Sequence, residues 1–202
     1  MVSVIDYGVG NLGSILNMFK RLDVAAELAR TSEEVMKAEK ILLPGVGAFD
    51  AGMEMLERSG MIPALQQKVL EDGVPTLGIC LGMQLMTKSS EEGQRAGLGW
   101  FDAQTVKFRL DTREYKIPHM GWNEVNDVHN SPLFHEMGPE PRFYFVHSYH
   151  LDAVKPDEVM FTCTYGYEFV CGVRRGNLFG AQFHPEKSHR FGMRLLSNFA
   201  AL

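Results

Sequence analysis

The sequence contains few cysteines, no long apolar run and no signal segment. Its three cysteines, Cys80, Cys163 and Cys171, are an odd number at spacings that match no zinc site or disulfide framework, so we expect reduced thiols. No apolar stretch approaches the roughly 20 residues of a membrane-spanning helix. Met1 leads directly into V-S-V-I-D-Y, without the basic region and cleavage site of a secretory signal. These absences predict a cytoplasmic protein that does not enter a membrane.

The chain also has fewer basic than acidic residues. The chain has 20 lysines and arginines against 25 acidic residues, a net charge of −5. Proteins that grip a phosphate backbone present a basic stripe, so a nucleic-acid partner is not expected. With 202 residues, 45% of them hydrophobic, the chain can bury a full core as one domain spanning residues 1–202.

The most informative stretch is V-P-T-L-G-I-C-L-G-M-Q, residues 74–84. An apolar run reaches Cys80 and a helix-compatible segment follows directly, so the cysteine lies where a strand ends and a helix begins. Gly78 and Gly82 flank it at two residues on each side, as required where a strained turn leaves no room for neighbouring β-carbons. This pattern predicts a nucleophile elbow with a cysteine as nucleophile. Cys163 and Cys171 lie in apolar runs and are expected in the core.

A cysteine nucleophile needs a base and a group that orients the base. The segment L-F-G-A-Q-F-H-P-E places His184 at the end of an apolar strand, with Glu186 two positions later. Residues i and i+2 of an extended chain face the same side, so this carboxylate can reach the imidazole. An exposed turn with a surface ion pair is the alternative interpretation of His-Pro-Glu in isolation. The elbow in the same chain favours a Cys80, His184 and Glu186 triad.

The other histidines carry weaker signals. His147 and His150 could be paired metal ligands, but no third ligand follows at a fitting spacing, so we expect structural histidines and no metal. Trp122 begins no apolar run and is the kind of exposed aromatic residue that an interface uses. The remaining four histidines lie in polar or proline-flanked stretches and are expected to be solvated: His119, His129, His135 and His189.

The pattern of elements predicts an α/β fold. Apolar strands alternate with helical segments over the first ninety residues, which is typical of a doubly wound, mostly parallel sheet with its site at the carboxyl ends of the strands. Three loops leave that edge, at residues 7–11, 44–48 and 78–82. After Gly93 short alternating runs predict antiparallel strands, including residues 178–183, and residues 192–202 predict a closing helix.

Several segments together resemble a known family. G-I-C-L-G-M-Q with a distant F-H-P-E is similar to the class I, triad-type glutamine amidotransferases. D-Y-G-V-G-N-L, L-P-G-V-G-A-F, P-H-M-G-W-N, F-V-H-S-Y and F-H-P-E-K-S narrow the resemblance to the glutaminase subunits of imidazole glycerol phosphate synthases, over residues 2–202. It implies a flavodoxin-like sheet and no cofactor.

The resemblance also implies roles for further residues. Glutamine would be the substrate, bound by Gln84 and the backbone around Ser148 and Tyr149. Backbone N–H groups of Leu81 and of the loop near Gly47 would hold the developing oxyanion, with the Val46 peptide having to turn to offer the second donor. The ammonia would pass to a (β/α)₈ cyclase subunit in a heterodimer of the histidine pathway. The residues in motifs that would face this partner are Asn11, Trp122 and Lys187.

Two other interpretations stay open at this point. The elbow and the distant histidine also occur in the glutaminase subunit of pyridoxal phosphate synthase and in γ-glutamyl hydrolases, although P-H-M-G-W-N resembles neither. A non-catalytic regulatory module on the same fold is the alternative of a different class. The presence of Cys80, His184 and Glu186 together argues against such a module.

Overall fold

The computed structural model describes residues 1–202 and begins with alternating strands and helices. The elements of the first half are β1 (Val2–Ile5), α1 (Leu12–Arg21), β2 (Ala26–Ala29), α2 (Ser32–Met36), β3 (Ile41–Leu43), α3 (Phe49–Arg58), α4 (Ile62–Gln66), β4 (Thr76–Ile79) and α5 (Leu81–Leu85). A π-helical turn, Gln67–Glu71, continues α4. The alternation predicted from the apolar periodicity is confirmed.

The second half adds mostly short strands. They are β5 (Ser89–Ser90), β6 (Gln104–Lys107), β7 (His119–Glu124), β8 (Asn126–Asp127), β9 (Arg142–His147), β10 (Tyr149–Asp152), β11 (Val159–Tyr165), β12 (Tyr167–Arg175) and β13 (Leu178–Ala181). The closing helix is α6 (His189–Ala201), which begins three residues earlier than the sequence predicts. None of the helices has the length and apolar character that a membrane crossing requires.

Five parallel strands form the centre of the main sheet, in the order β2-β1-β3-β4-β13. This order is that of flavodoxin-like sheets, in which ligands bind beyond the carboxyl ends of the strands. The sheet continues through β12, β10 and β6, which pair antiparallel, and ends at β5. The mixed α/β class with a mostly parallel sheet is therefore confirmed.

The prediction for residues 178–183 is wrong in part. β13 pairs antiparallel with β12 through the two-residue turn Gly176–Asn177, but it also pairs parallel with β4. It is therefore the fifth strand of the parallel array, next to the strand that carries Cys80. This pairing brings the far end of the chain to the elbow, because Ala181 lies opposite Ile79 in the register.

The two faces of the sheet bury separate apolar clusters. One is covered by α1 and α6, with Phe19, Leu196 and Phe199 fully buried in it. The other is covered by α2 to α5, with Phe49, Leu56 and Leu85 fully buried. Because helices cover both faces of the sheet, the parallel strands are buried on both sides and their sequences are almost entirely apolar. β7 and β9 form a separate two-stranded antiparallel ribbon.

Candidate functional site

Cys80 is the turning point between β4 and α5. Its φ is 53° and its ψ is −113°, a conformation that residues with side chains rarely adopt and that costs about 1–3 kcal/mol. Cys80 N donates to Ala181 O at 2.8 Å, which ties the turn to β13. A β-carbon on Gly78 would lie 2.9 Å from the backbone of Met83, so glycine is required beside the turn. The predicted strand–cysteine–helix turn is therefore present, with its strain at the cysteine.

His184 and Glu186 form a buried pair just after β13. His184 Nδ1 lies 2.8 Å from Glu186 Oε1, and the two side chains are 2% and 3% exposed. His184 N donates to Tyr144 O at 2.9 Å, which fixes the backbone that carries the ring. The alternative of an exposed turn with a surface ion pair is wrong, because both groups are removed from water.

The electrostatics of this pair favour a charged ring. Burial alone would lower the pKa of His184, but the attraction of the charged ring to the nearby Cys80 sulfur and to the Glu186 carboxylate outweighs burial and raises this pKa to about 10. Glu186 Oε2 is buried without a hydrogen-bond partner, so the positive ring beside it is the charge that offsets the carboxylate. His184 Nε2 makes no hydrogen bond. A protonated imidazole with one free nitrogen can give a proton to a group brought next to it.

A cavity of about 570 Å³ opens at the carboxyl ends of the parallel strands. Both Cys80 and His184 line it, while Glu186 lies behind His184. The cavity also brings together predicted residues from five separate segments of the chain: Asn11, Val46, Gly47, Leu81, Gln84, Ser148, Tyr149 and Lys187. Four residues that the sequence analysis did not assign to this site complete the lining: Glu92, Pro118, Val146 and His147.

Two buried amides lead from the cavity wall to the thiol. Gln84 Nε2 donates to Tyr149 O at 3.3 Å and to Gln182 Oε1 at 2.9 Å. Gln182 Nε2 in turn donates to Cys80 Sγ at 3.6 Å. Gln182 was missed by the sequence analysis, although a single amide inside the apolar run L-F-G-A-Q-F was a usable signal. Its side chain is fully buried in the structure. The pair holds the sulfur and the cavity wall in one network.

The P-G-V-G loop, residues 44–47, lies against the elbow. A β-carbon on Gly45 would lie 2.9 Å from Gly82 N, so the loop backbone approaches the turn closely. Tyr7 OH donates to Pro44 O at 2.8 Å, and burial together with the nearby Cys80 raises the pKa of Tyr7. Gly47 has a φ of 105°, a conformation available mainly to glycine. The loop is therefore held at its start by Tyr7, and its end takes a conformation that favours glycine.

The three predicted interface residues are all exposed at this end of the molecule. Trp122 is 47% exposed and stacks on the His189 ring, with the centroids 5.1 Å apart. Lys187 Nζ lies 5.4 Å from the centre of the Tyr144 ring. Asn11 begins α1, and its side chain accepts from Ser14 N at 3.4 Å. Asn11 and Lys187 line the cavity, and Trp122 lies near Tyr144, the ring that Lys187 also contacts.

The prediction of a solvated His119 is wrong. This side chain is buried, and its Nδ1 lies 3.0 Å from His147 Nε2. The strand β7 was not recognised in the sequence, because its exposed positions include the apolar Met120 and Trp122 while its buried position is the polar His119. The usual alternation of apolar buried and polar exposed residues is therefore not visible. His129, His135 and His189 are exposed, as predicted. His147 and His150 are both hydrogen-bonded. The structure contains no group of three or more histidine, cysteine or carboxylate side chains that could hold a metal ion.

A second cavity, of about 470 Å³, lies between residues 155–160 and 174–176. Its one hydroxyl, on Ser131, donates to Met160 Sδ at 3.0 Å and accepts from Leu133 N, so it is not hydrogen-bonded to a base. This cavity therefore shows no nucleophile paired with a base, although it is comparable in size. The chemistry concentrates at Cys80.

Comparisons with known proteins identify the family. The family model described as glutamine amidotransferase class-I matches residues 3–201. Imidazole glycerol phosphate synthase subunit HisH 2 of Pseudomonas aeruginosa is 49% identical over 203 residues, with all of both chains covered. Its counterpart from Methanococcus maripaludis is 48% identical, with 98% of each chain covered. The chain belongs to the HisH family of class I glutamine amidotransferases.

The fold of this HisH chain is shared more widely than its sequence. A crystal structure of a glutamine amidotransferase superposes with a TM-score of 0.76 at 18% identity, covering 100% of this chain and 99% of that one. The structure of PurLQS from Thermotoga maritima gives 0.75 at 16% identity, with 98% and 96% covered. At these identities the likeness concerns the fold alone.

Proposed function

We propose that Cys80, His184 and Glu186 carry the glutaminase activity of this HisH chain. The observation that supports the proposal most strongly is the shared cavity, in which a thiol on a strained turn meets an imidazole whose other nitrogen is bound to a buried carboxylate. Nucleophile, base and orienting group in this order form the arrangement used for acyl transfer.

The reaction follows from these three groups. With the Cys80 proton held on His184 Nε2, the Cys80 sulfur attacks the side-chain carbonyl carbon of glutamine, forming a C–S bond and a tetrahedral intermediate. His184 Nε2 gives its proton to the amide nitrogen, the C–N bond breaks, and ammonia leaves. Water, deprotonated by His184, then attacks the thioester and releases glutamate and the thiol. Glu186 holds the ring by its Nδ1–H throughout.

The oxyanion of the intermediate needs backbone donors. We assign these to the N–H of Leu81, the residue after the nucleophile, and to the loop at Val46 and Gly47. One such donor is typically worth about 10²–10³ in turnover. The positive φ of Gly47 supports a loop that can change the direction of the Val46 peptide. The isolated chain is then expected to be nearly inactive until a partner turns that peptide inward.

The cavity lining supports a binding mode for free glutamine. Gln84 and the backbone of Ser148 and Tyr149 are assigned to the substrate, as the family resemblance implies. Glu92 adds the only carboxylate among the lining residues. A free amino acid carries an α-ammonium group, so Glu92 is the group suited to hold it. Phe49 N donates to Glu92 Oε2 at 2.9 Å and leaves the other oxygen available.

The proposal extends to the assembly. Residues 1–202 form one glutaminase domain that docks its cavity mouth, with Asn11, Trp122 and Lys187, onto a (β/α)₈ cyclase subunit. The cyclase would use the ammonia to make imidazole glycerol phosphate and an aminoimidazole carboxamide ribonucleotide in histidine biosynthesis. All three cysteines are free thiols, which fits the reducing cytoplasm.

The test is glutamine hydrolysis by Cys80→Ala beside the wild type, each with and without the cyclase subunit and its nucleotide. We expect the variant to lose glutaminase activity by a factor of about 10³ or more, because it lacks the nucleophile, while ammonium salts still support the cyclase reaction. Labelling with diazo-oxo-norleucine, a glutamine analogue, should modify Cys80 and neither of the two buried cysteines. An unchanged rate in Cys80→Ala, or no Cys80 adduct in the complex, would favour the non-catalytic module instead.

A further inference from the structure

A second hydrogen-bond chain reaches the cavity from β7, and the proposed mechanism does not use it. His147 Nδ1 lies 2.7 Å from Tyr149 O, and His147 Nε2 lies 3.0 Å from His119 Nδ1. Asn123 Nδ2 lies 3.4 Å from His119 Nε2 and donates to Thr164 O at 2.8 Å. Five groups are thus joined from the outer ribbon to the backbone that faces the substrate.

Chemistry fixes the direction of every bond in this chain. A carbonyl oxygen only accepts, so His147 Nδ1 must carry a hydrogen and donate it to Tyr149 O. Burial lowers the pKa of His147 to about 3 and that of His119 to about 4, so both rings are neutral. His147 Nε2 must then accept, and His119 Nδ1 must donate to it. His119 Nε2 in turn accepts from Asn123. Both imidazoles are held in the Nδ1–H tautomer.

The surroundings of His119 leave its ring little freedom. It stacks between Phe145, with centroids 4.7 Å apart, and Tyr165, at 4.1 Å. Its backbone lies opposite that of His147 in the β7–β9 register. β7 alternates, so Met120 and Trp122 are exposed while His119 is buried on the other face. A ring held in this way presents its Nδ1–H in one direction only.

Tyr149 O is the point at which this chain meets the thiol network. It accepts from His147 on one side and from Gln84 Nε2 on the other, and Gln84 leads through Gln182 to Cys80 Sγ. Two donors on one carbonyl fix both its position and its plane. If His147 took the other tautomer, its Nδ1 lone pair would face Tyr149 O and this bond would be lost.

We propose that His119 is a positioning residue for glutamine, because it locks the tautomer of His147 and thereby the Ser148–Tyr149 segment of the cavity wall. It touches no reacting atom and acts through His147. The inference rests on the proposed binding of glutamine at this segment. It adds a residue on β7, outside the cavity lining, to the determinants of glutamine affinity.

The kinetic test uses two variants of similar size in complex with the cyclase subunit. His119→Asn keeps an N–H donor close to the place of Nδ1, whereas His119→Leu has none. We expect His119→Leu to raise KM for glutamine about tenfold, the factor that corresponds to one lost buried hydrogen bond, with kcat within about twofold of wild type. His119→Asn should restore most of the affinity. Tyr165→Phe is the control, because it keeps the stacking and removes only the bond to Lys116 O.

A spectroscopic test on the wild-type chain needs no variant and no activity. Nitrogen-15 NMR of histidine-labelled protein at neutral pH should show His119 and His147 both neutral, with the proton on Nδ1. A proton on His147 Nε2 would overturn the proposal, as would a His119→Leu complex with unchanged KM or a His119→Asn complex as impaired as His119→Leu. A wild type without glutaminase activity would instead contradict the proposed function.

Discussion

A β-carbon on Gly82 would lie 1.9 Å from the carbonyl oxygen of Leu43. The first turn of α5 therefore packs directly on the end of β3, where the P-G-V-G loop begins. This contact sets how closely the loop approaches Cys80. Because the obstacle is backbone and not a flexible side chain, it cannot move aside without shifting β3.

Gly82→Ala is accordingly expected to destabilise the protein. Overpacking of this kind lowers the free energy of unfolding by about 1–3 kcal/mol or more. A Gly82→Ala protein that still folds should lose glutaminase activity, because the turn that carries Cys80 is displaced. Gly13→Ala is the matched control, since a β-carbon there meets nothing within 4 Å inside α1. Helix propensity predicts a gain of about 0.5–1 kcal/mol for that variant. Urea unfolding of both measures the difference, and a Gly82→Ala protein as stable as Gly13→Ala would refute the packing argument.

Glu186→Gln should reduce turnover and change the pH dependence of stability. The loss of a hydrogen bond to a charged partner is worth about 1.5–3 kcal/mol, or about 10–10² in rate. The pKa of His184 is raised from 6.5 to about 10, so its stabilising effect is fully present below about pH 6.5 and is lost as pH rises to 10.

The free energy of unfolding of wild type should therefore exceed that of Glu186→Gln most at pH 6, and the gap should shrink toward pH 10. Denaturant titrations at both pH values provide the measurement. A gap that widens with pH would mean that His184 is neutral in the folded protein.

Glu92→Gln should weaken glutamine binding. If Glu92 holds the α-ammonium group, removing its charge should raise KM for glutamine about 10–10²-fold, with a smaller effect on kcat. Glu91→Gln is the neighbouring control, because Glu91 pairs with Arg109 at 2.7 Å and does not line the cavity. Steady-state kinetics of the complex decide the matter, and equal KM values for the two variants would remove Glu92 from the site.

Trp122→Ala should weaken association with the cyclase subunit. Exposed tryptophans at the centre of an interface commonly contribute 2 kcal/mol or more, which corresponds to a rise in Kd of about 30-fold. Leu70→Ala is the control, since Leu70 is 50% exposed but lies near Gly73 and Asn177, at the opposite edge of the sheet. Titration calorimetry with the cyclase subunit gives both values. Similar Kd values would place the interface elsewhere.

The features that could be predicted are those encoded over short distances along the chain. Gly78 and Cys80 mark the elbow locally, because the strain lies at Cys80 and the backbone that Gly78 must avoid is that of Met83, whereas the contact that requires Gly82 comes from Leu43 on another strand. His184 and Glu186 are two residues apart, so their pairing follows from an extended backbone. The alternation of strands and helices in the first half follows from apolar periodicity, which depends on burial of each element by itself.

The features that were missed depend on which strands become neighbours. His119 lies in a polar stretch, and its burial follows from the pairing of β7 with β9. Gln182 approaches the thiol because β13 joins the parallel array beside β4. The local sequence of residues 178–183 describes a strand but not its partners on both sides.

The sequence by itself thus determined the position of the elbow at Cys80, the pairing of His184 with Glu186 and the family to which the chain belongs; from these we predicted the catalytic triad that we propose. Only the tertiary structure decided that Cys80 and His184 share one cavity, and that two hydrogen-bond chains converge on Tyr149 O. The physical reason is that backbone strain, capping and periodicity act between residues close in the chain. Cavities and hydrogen-bond networks arise only when distant strands are brought side by side, and their partners are then set by register.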